Sequence, residues 1–311
     1  MTETDTIEYN GTWEKPNRSI IAAAVTGVIG IGAIYFNLES ILITILTVIY
    51  KAVYHIELSG GMAAKIRETS VYLKTPILIA VSISEFVFML LPTIWIIKKW
   101  HTTEVIKYIR IKFTTVREIV LAMLVTVFIF PFSSFLVDIL VKALGIPKVI
   151  LDANSMLFTP NSNSEFILMI YAIAVTPAIC EEILFRGYFQ RTLERKTGMK
   201  SFIITGILFG LFHMQPLTLI SLSMLGILLS YFYYRSQSIL PSSAAHFTNN
   251  FLAILLLFLK QKGRANNTFE NNISIGWVIL SLLISAGLFL IYLKITKVKP
   301  VHVIEDGRIA M

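Results

Sequence analysis

Cysteine and charged residues are both scarce in this chain of 311 residues. The single cysteine, Cys180, excludes an internal disulfide and a four-cysteine metal site. Charged residues make up 15% of the sequence and hydrophobic residues 55%, whereas a soluble domain is about 25% charged. The composition therefore excludes an ordinary soluble domain and predicts a polytopic membrane protein.

Long apolar runs make up most of the sequence. They are continuous rather than alternating, which indicates membrane-spanning helices instead of a β-barrel. Because a span needs about 20 mainly apolar residues, we expect an all-α, polytopic transmembrane helical bundle of about eight spans. The first run is either one long span with an extension, which is favoured, or two short segments. The predicted spans cover residues 19–54, 76–97, 119–144, from 166 through the Glu181–Glu182 pair, 201–213, 216–235, 238–259 and 275–295.

The basic residues cluster between the apolar runs, so the net charge of +8 indicates contact with a lipid bilayer and not with nucleic acid. The most basic connection, Lys98 to Glu118, is predicted to be cytoplasmic and to include a helix at the headgroups. A second cytoplasmic connection is predicted from Arg186 to Lys200. Both termini are expected inside. The start of the chain, Met1 to Arg18, does not resemble a cleavable signal peptide.

Four parts are expected along the chain. Residues 1–18 form an N-terminal cytoplasmic tail, and residues 19–164 hold the N-terminal transmembrane helices with the basic connection. Residues 165–260 form the core that carries the chemically active residues. Residues 261–311 contain the last transmembrane helix and a basic tail. Neither an internal repeat nor a low-complexity region is visible.

Glu181, Glu182 and Arg186 lie at the end of an apolar run. Ionisable groups in such a run are costly, so their default interpretation is a functional site. Glu182 and Arg186 are four residues apart and share one helix face. This leaves Glu181, about 100° around the helix, free to act as a proton acceptor. The alternative is a structural charge pair near the membrane interface.

Two histidines also lie in apolar surroundings, in Phe209-x-x-x-His213 and His246-x-x-x-Asn250. A lone intramembrane histidine is often only a hydrogen-bond donor between helices. Together with Glu181, however, these residues could supply a base, a proton shuttle and donors for an oxyanion. They could equally supply a metal-ligand set of two histidines and a glutamate. Counted along its helix, His213 would lie about 20 Å deep, deeper than the other two groups.

Three motifs occur here in order: E-E-x-x-x-R at 181–186, F-x-x-x-H at 209–213 and H-x-x-x-N at 246–250. Together they resemble the CAAX-protease and bacteriocin-processing family of intramembrane proteases, also called the Abi family. No motif position departs from the family pattern. The resemblance covers roughly residues 165–258.

The resemblance implies a role for each matched residue. Glu181 with His213 would activate a water for attack on a peptide bond, and His246 and Asn250 would stabilise the oxyanion. The family's structures support a mechanism without metal, so no cofactor is expected. If a metal were required, zinc held by Glu181, His213 and His246 would be the alternative.

Glu182 and Arg186 would hold the glutamate helix in place. Other ionisable groups are given structural interpretations: Glu85 and Asp138 as packing or interfacial groups, and Cys180 as a small hydrophobe and not a nucleophile.

The expected function is that of an intramembrane endopeptidase in a multi-pass cell membrane, favoured to be a bacterial plasma membrane with the C-terminus cytoplasmic. Its expected substrates are membrane-associated peptides or protein tails, and not the farnesylated substrates of a CAAX prenyl protease. Two rivals stay open. One is a non-catalytic membrane scaffold or bacteriocin-immunity protein with the same fold, and the other is a proton-coupled transporter.

Overall fold

The computed structural model describes residues 7–14, 18–56, 61, 65, 68–146, 151, 155–263 and 274–296, and these residues contain helices and no strand. The predicted basic tail beyond residue 296 lies outside the described residues. The helices are α1 (Ile20–Val53), α2 (Val71–His101), α3 (Val105–Tyr108), α4 (Val116–Ala143), α5 (Asn163–Thr197), α6 (Lys200–Phe212), α7 (Leu219–Ser236), α8 (Leu240–Gln261) and α9 (Ile275–Ile295).

Six of the described helices, α1, α2, α4, α5, α8 and α9, are long and apolar enough to cross a membrane. The shorter apolar helix α6 packs closely against α7, which gives eight helices at the predicted positions. The prediction of an all-α bundle with about eight spans is confirmed. The first run is a single helix, α1, of 34 residues, and the Ser19 hydroxyl caps its start by accepting from the Ala22 N–H.

Helix α5 runs through the centre of the bundle and packs against α1, α2, α6, α7 and α8. It is longer than expected, because the segment from Arg186 to Lys200 is not a connection. Gln190, Thr192 and Glu194 are fully buried, and the helix ends only at Gly198, whose φ of +56° suits glycine. The basic residues of this segment misled the prediction, because Arg186 and Arg195 are paired with Glu182 and Glu14 inside the structure.

The basic stretch from Lys98 to Glu118 also differs from expectation. Its only described helix outside the ends of α2 and α4 is the four-residue α3. Arg110 adopts a φ of +60° and forms two hydrogen bonds, of 2.8 and 3.0 Å, with Glu194 on α5. The stretch therefore folds back onto the bundle and is not a long helix at the headgroups.

Residues 7–14, which we call the N-terminal strap, lie across this same end of the bundle. The N–H groups of Gly11, Thr12 and Trp13 donate to the carbonyl groups of residues 101, 99 and 100, each at 2.9 Å. The carboxylate of Glu14 accepts two hydrogen bonds of 2.7 Å from Arg195 on α5. The strap thus ties the end of α2 to the end of α5. We call this end the basic end of the bundle.

Helices α6 and α7 approach each other closely at two glycines. A Cβ atom on Gly206 would lie 2.3 Å from the backbone nitrogen of Ile227, and one on Gly226 would lie 2.5 Å from the carbonyl oxygen of Gly206. No side chain larger than hydrogen fits at either position. This contact fixes α7 beside α5, where the candidate site lies.

Candidate active site

Glu181, His213 and His246 converge from three helices, α5, α6 and α8. The Oε2 atom of Glu181 lies 4.0 Å from Nε2 of His213 and 3.9 Å from Nε2 of His246. The Glu181 side chain is 13% exposed and that of His213 24%, so the group is sheltered but reachable. Oε2 of Glu181 has no hydrogen-bond partner among the described residues. The structure therefore brings together three of the four predicted catalytic residues around one unpaired oxygen.

Both histidine rings are held by their other nitrogen. Nδ1 of His246 lies 2.9 Å from Oε1 of Glu182, and Nδ1 of His213 lies 2.8 Å from the carbonyl oxygen of Phe209. Since a carboxylate and a carbonyl can only accept, each Nδ1 carries the proton. The Nε2 atoms are thereby directed toward Glu181.

The Glu182–Arg186 pair lies behind this group and is fully buried. The guanidinium donates to Oε1 of Glu182 at 2.6 Å and to the carbonyl oxygen of Gly226 at 3.0 Å. The predicted pairing of these residues is present, and Glu182 also orients His246, which the sequence did not indicate. The ring of Phe209 lies 4.6 Å below the guanidinium carbon and packs edge-on against both histidines. Phe209, the phenylalanine of the second motif, therefore packs against Arg186 and both histidines, and we call its ring the floor of the site.

Asn250 is placed differently from the other predicted residues. Its Nδ2 donates to the carbonyl oxygen of Ile173 at 2.8 Å, and its Oδ1 accepts from Asn249 at 3.0 Å. The second hydrogen on Nδ2 keeps one donor available. The structure therefore shows Asn250 one helical turn from His246, bound to α5, and shows no bond from it to Glu181.

A second acidic group, on α2, interacts electrostatically with Glu181. Glu85 on α2 is buried, its Oε2 is without a partner among the described residues, and its carboxylate interacts electrostatically with Glu181 and Glu39. Glu39 accepts a hydrogen bond of 2.8 Å from Tyr35. In the sequence, Glu85 interrupts an apolar run and Glu39 lies in the polar break of the first one. The interpretation of Glu85 as a packing or interfacial group stays a prediction.

The extended α5 removes the mismatch in depth. From Glu181 to the end of α5 at Thr197 the helix rises about 24 Å, and from Lys200 to His213 the chain returns about 20 Å. The apolar run of α5 was expected to end near Glu181 and Glu182, but the helix continues to Thr197 before α6 begins. Helix α6 therefore starts far from the level of Glu181, on the side where α5 ends. His213 reaches the level of Glu181 because α6 returns from the turn between α5 and α6 over nearly the same length that α5 covers from Glu181 to that turn.

The spacing required of metal ligands is not present here. Among the described residues, no three His, Cys, Asp or Glu side chains are grouped closely enough to hold a metal ion. The Oε2 atom of Glu181 lies 3.9 and 4.0 Å from the two Nε2 atoms. The metal-free mechanism and its zinc alternative both stay predictions.

Residues 163–252 match the family model described as type II CAAX prenyl endopeptidase Rce1-like. This match confirms the family resemblance. The Rce1-like segment begins at the first residue of α5 and ends two residues after Asn250, so it contains all seven specified residues of the three motifs. No curated protein and no solved structure matches the chain. With its apolar helices, the chain is a multi-pass membrane protein with a segment similar to a CAAX protease family.

Proposed function

We propose that this protein is an intramembrane endopeptidase that hydrolyses peptide bonds of membrane-associated peptides or protein tails. The observation that carries the proposal is the unpaired Oε2 of Glu181 between Nε2 of His213 and Nε2 of His246. Water suits this space, because it can donate to the unpaired carboxylate oxygen and can donate to or accept from an imidazole nitrogen. The match of residues 163–252 to a CAAX endopeptidase family supports the same reaction class.

In the proposed reaction, a water held between Glu181 and His213 gives a proton to the Glu181 carboxylate as its oxygen bonds to the peptide carbonyl carbon. The carbonyl oxygen becomes an oxyanion, and His246, when protonated at Nε2, donates to it together with the second hydrogen of Asn250. Collapse of the intermediate breaks the C–N bond while Glu181 passes its proton to the leaving nitrogen. The products are a carboxylic acid and an amine, and Glu181 is ionised again.

Glu182 and Arg186 hold the site in position and do not take part in the proton transfers. Glu182 fixes the His246 ring through Nδ1, as a second carboxylate commonly does for a histidine that works through its other nitrogen. Arg186 compensates the buried charge of Glu182 and ties α5 to α7 at Gly226. The roles of the two neighbouring glutamates are therefore separate.

We place the basic end of the bundle at the cytoplasmic side, because Lys98, Lys99, Lys107 and Lys112 lie there. The Lys294 end of α9 would then also be cytoplasmic, in a bacterial plasma membrane. Two rivals are kept: a scaffold or immunity protein that needs no hydrolysis, and a transporter in which Glu181, Glu85 and Glu39 relay protons.

The test uses the purified full-length protein in liposomes with a labelled membrane peptide library. Wild type should cleave in the presence of a strong chelator, and Glu181→Gln and His246→Ala should each lower the rate by at least about 100-fold. Asp138→Asn is the matched control, because it removes a carboxylate from an exposed ion pair on α4. Retained cleavage in Glu181→Gln would refute the proposal, and loss with chelator followed by recovery with zinc would refute the metal-free mechanism.

A further inference from the structure

A cavity of about 140 Å³ lies between α4, α7 and α8. Its polar lining consists of Ser133 and Ser134 on α4, Ser221 on α7 and Asn249 on α8, and we call it the serine cavity. A water molecule needs only about 10–15 Å³ of such space, so the cavity has room for several polar groups. Phe130, Val137, Leu222 and Leu225 supply the apolar half of its lining.

No described residue forms a hydrogen bond with the hydroxyl of Ser133 or Ser134 on α4. Thr126 on the same helix and Ser82 on α2 instead donate to the carbonyl oxygen one turn earlier, at 2.9 Å in both cases. Among the described hydroxyl residues of the spans, Ser84, Ser201, Thr205 and Ser230 also lack a hydrogen-bond partner, but none of these four lines the serine cavity. The hydroxyls of Ser133 and Ser134 are therefore available to a bound molecule.

The serine cavity borders the candidate site. Asn249 lines the cavity and donates to the side chain of Asn250 at 3.0 Å. Leu222 lines it on the α7 side and packs against the core cluster that contains Phe209, the floor of the site. One wall of the cavity is thus shared with the groups proposed to act on the peptide bond.

We propose that the serine cavity binds the unwound backbone of the substrate peptide next to the bond that is cleaved. The inference rests on the proposed function and adds to it a binding subsite. A membrane peptide is helical, and a helical peptide bond is closed to attack until its turn opens. Each N–H and C=O freed in this way costs several kcal/mol in a bilayer unless it finds a partner. The free hydroxyls and the Asn249 amide supply such partners at the place where the chain must open.

This assignment makes the substrate an extended polar backbone and not a small polar solute. The cavity contains hydroxyl and amide groups, which can both donate and accept, and no charged side chain lines it. Such groups match alternating N–H and C=O groups and do not favour a charged ligand. The expected substrates are therefore peptides whose apolar segment unwinds easily near the cleavage point, for example through glycine or proline.

The first experiment compares cleavage of labelled membrane peptides in liposomes by wild type and by Ser133→Ala/Ser134→Ala. We expect the KM to rise about tenfold with kcat nearly unchanged, because the lost hydrogen bonds hold the substrate before and during attack. Ser82→Ala is the matched control, since its hydroxyl is satisfied within α2. An unchanged KM in the double variant, or an equal rise in the control, would overturn the assignment.

The second experiment does not require cleavage and so separates this inference from the proposed function. A maleimide photo-crosslinker is attached at Ser134→Cys, or at the exposed Ile139→Cys, in the Glu181→Gln protein, while buried Cys180 stays unlabelled. Illumination with the same peptides should give at least fivefold more adduct at position 134 than at position 139. Equal adduct at both positions would overturn the subsite, whether or not wild type cleaves the peptides.

Discussion

At the scale of single residues, two neighbouring glutamates have opposite surroundings. Glu182 is fully buried and bound by Arg186 and His246, while the Oε2 of Glu181 has no bond among the described residues. The difference follows from the 100° rotation between adjacent helical positions. The carboxylate of Glu182 is paired with Arg186 and His246, whereas that of Glu181 stays available to a substrate or a water.

Removing only one member of the buried pair should be costly. We expect Glu182→Gln to lower the free energy of unfolding by about 3–5 kcal/mol, because it leaves Arg186 as an uncompensated buried charge. Glu182→Gln/Arg186→Met should lose less than the sum of its single variants, because no charge remains buried. Denaturant unfolding in detergent measures this. Lys142→Met, in an exposed pair with Asp138, should change stability by at most about 1 kcal/mol, and additive losses in the double variant would contradict the interpretation.

The sequence was informative at this scale where a motif fixes the spacing. The pairing of Glu182 with Arg186 follows from four-residue spacing on one helix, and it was predicted. The bond of Glu182 to His246 and that of Arg186 to the Gly226 carbonyl join residues on different helices. No periodicity encodes such contacts, since they depend on how α5, α7 and α8 are arranged in space.

At the scale of elements, the glycine contact between α6 and α7 determines where α7 sits. The sequence showed Gly206 and Gly210 at a spacing that permits close packing, but it did not identify the partner surface at Gly226. That partner matters because the carbonyl of Gly226 accepts from Arg186. The close approach of two helices therefore also supports the buried charge pair.

Gly206→Ala should separate α6 from α7. Its Cβ would collide with the backbone of Ile227, which cannot move as a side chain can, so we expect a loss of about 1–3 kcal/mol in the free energy of unfolding. Gly287→Ala on α9 is the matched control, because nothing lies within 4 Å of its new Cβ. Thermal unfolding of the two variants should differ clearly, and equal melting temperatures would show that α6 and α7 can adjust.

At the scale of the whole molecule, the N-terminal strap connects parts of the chain that are far apart in sequence. Glu14 and Arg195 are separated by 181 positions, and the strap also bonds to the end of α2. The spans were predictable because each needs only a local apolar run. The strap was not, because a short polar segment gives no sign of the surface on which it lies.

Acid should weaken the strap. Burial raises the pKa of Glu14, but the hydrogen bonds from Arg195 and His101 outweigh this and lower it to about 2, from an ordinary value of 4.5. Because the folded state holds this proton less tightly, the stabilisation is complete above pH 4.5 and is lost as the pH falls toward 2.

Glu14→Gln should therefore cost about 2 kcal/mol at pH 7 and should have a flatter dependence of stability on pH between 4.5 and 2 than wild type. Unfolding measured at several pH values in detergent checks both. Glu104→Gln, at an exposed site that also bonds the strap, serves as the control and should have a much smaller effect at pH 7. If Glu14→Gln loses stability in parallel with wild type across that range, another group is responsible.

The length of α5 on the two sides of Glu181 has a final consequence. About 27 Å of helix precede this residue and about 24 Å follow it, so Glu181 lies at a fixed height along α5. A protein that cleaves as proposed would then select, among peptide bonds in segments that unwind easily, the one that lies at that height in the bilayer. A thicker or thinner membrane would shift the cut along the substrate, by roughly one residue for each 1.5 Å.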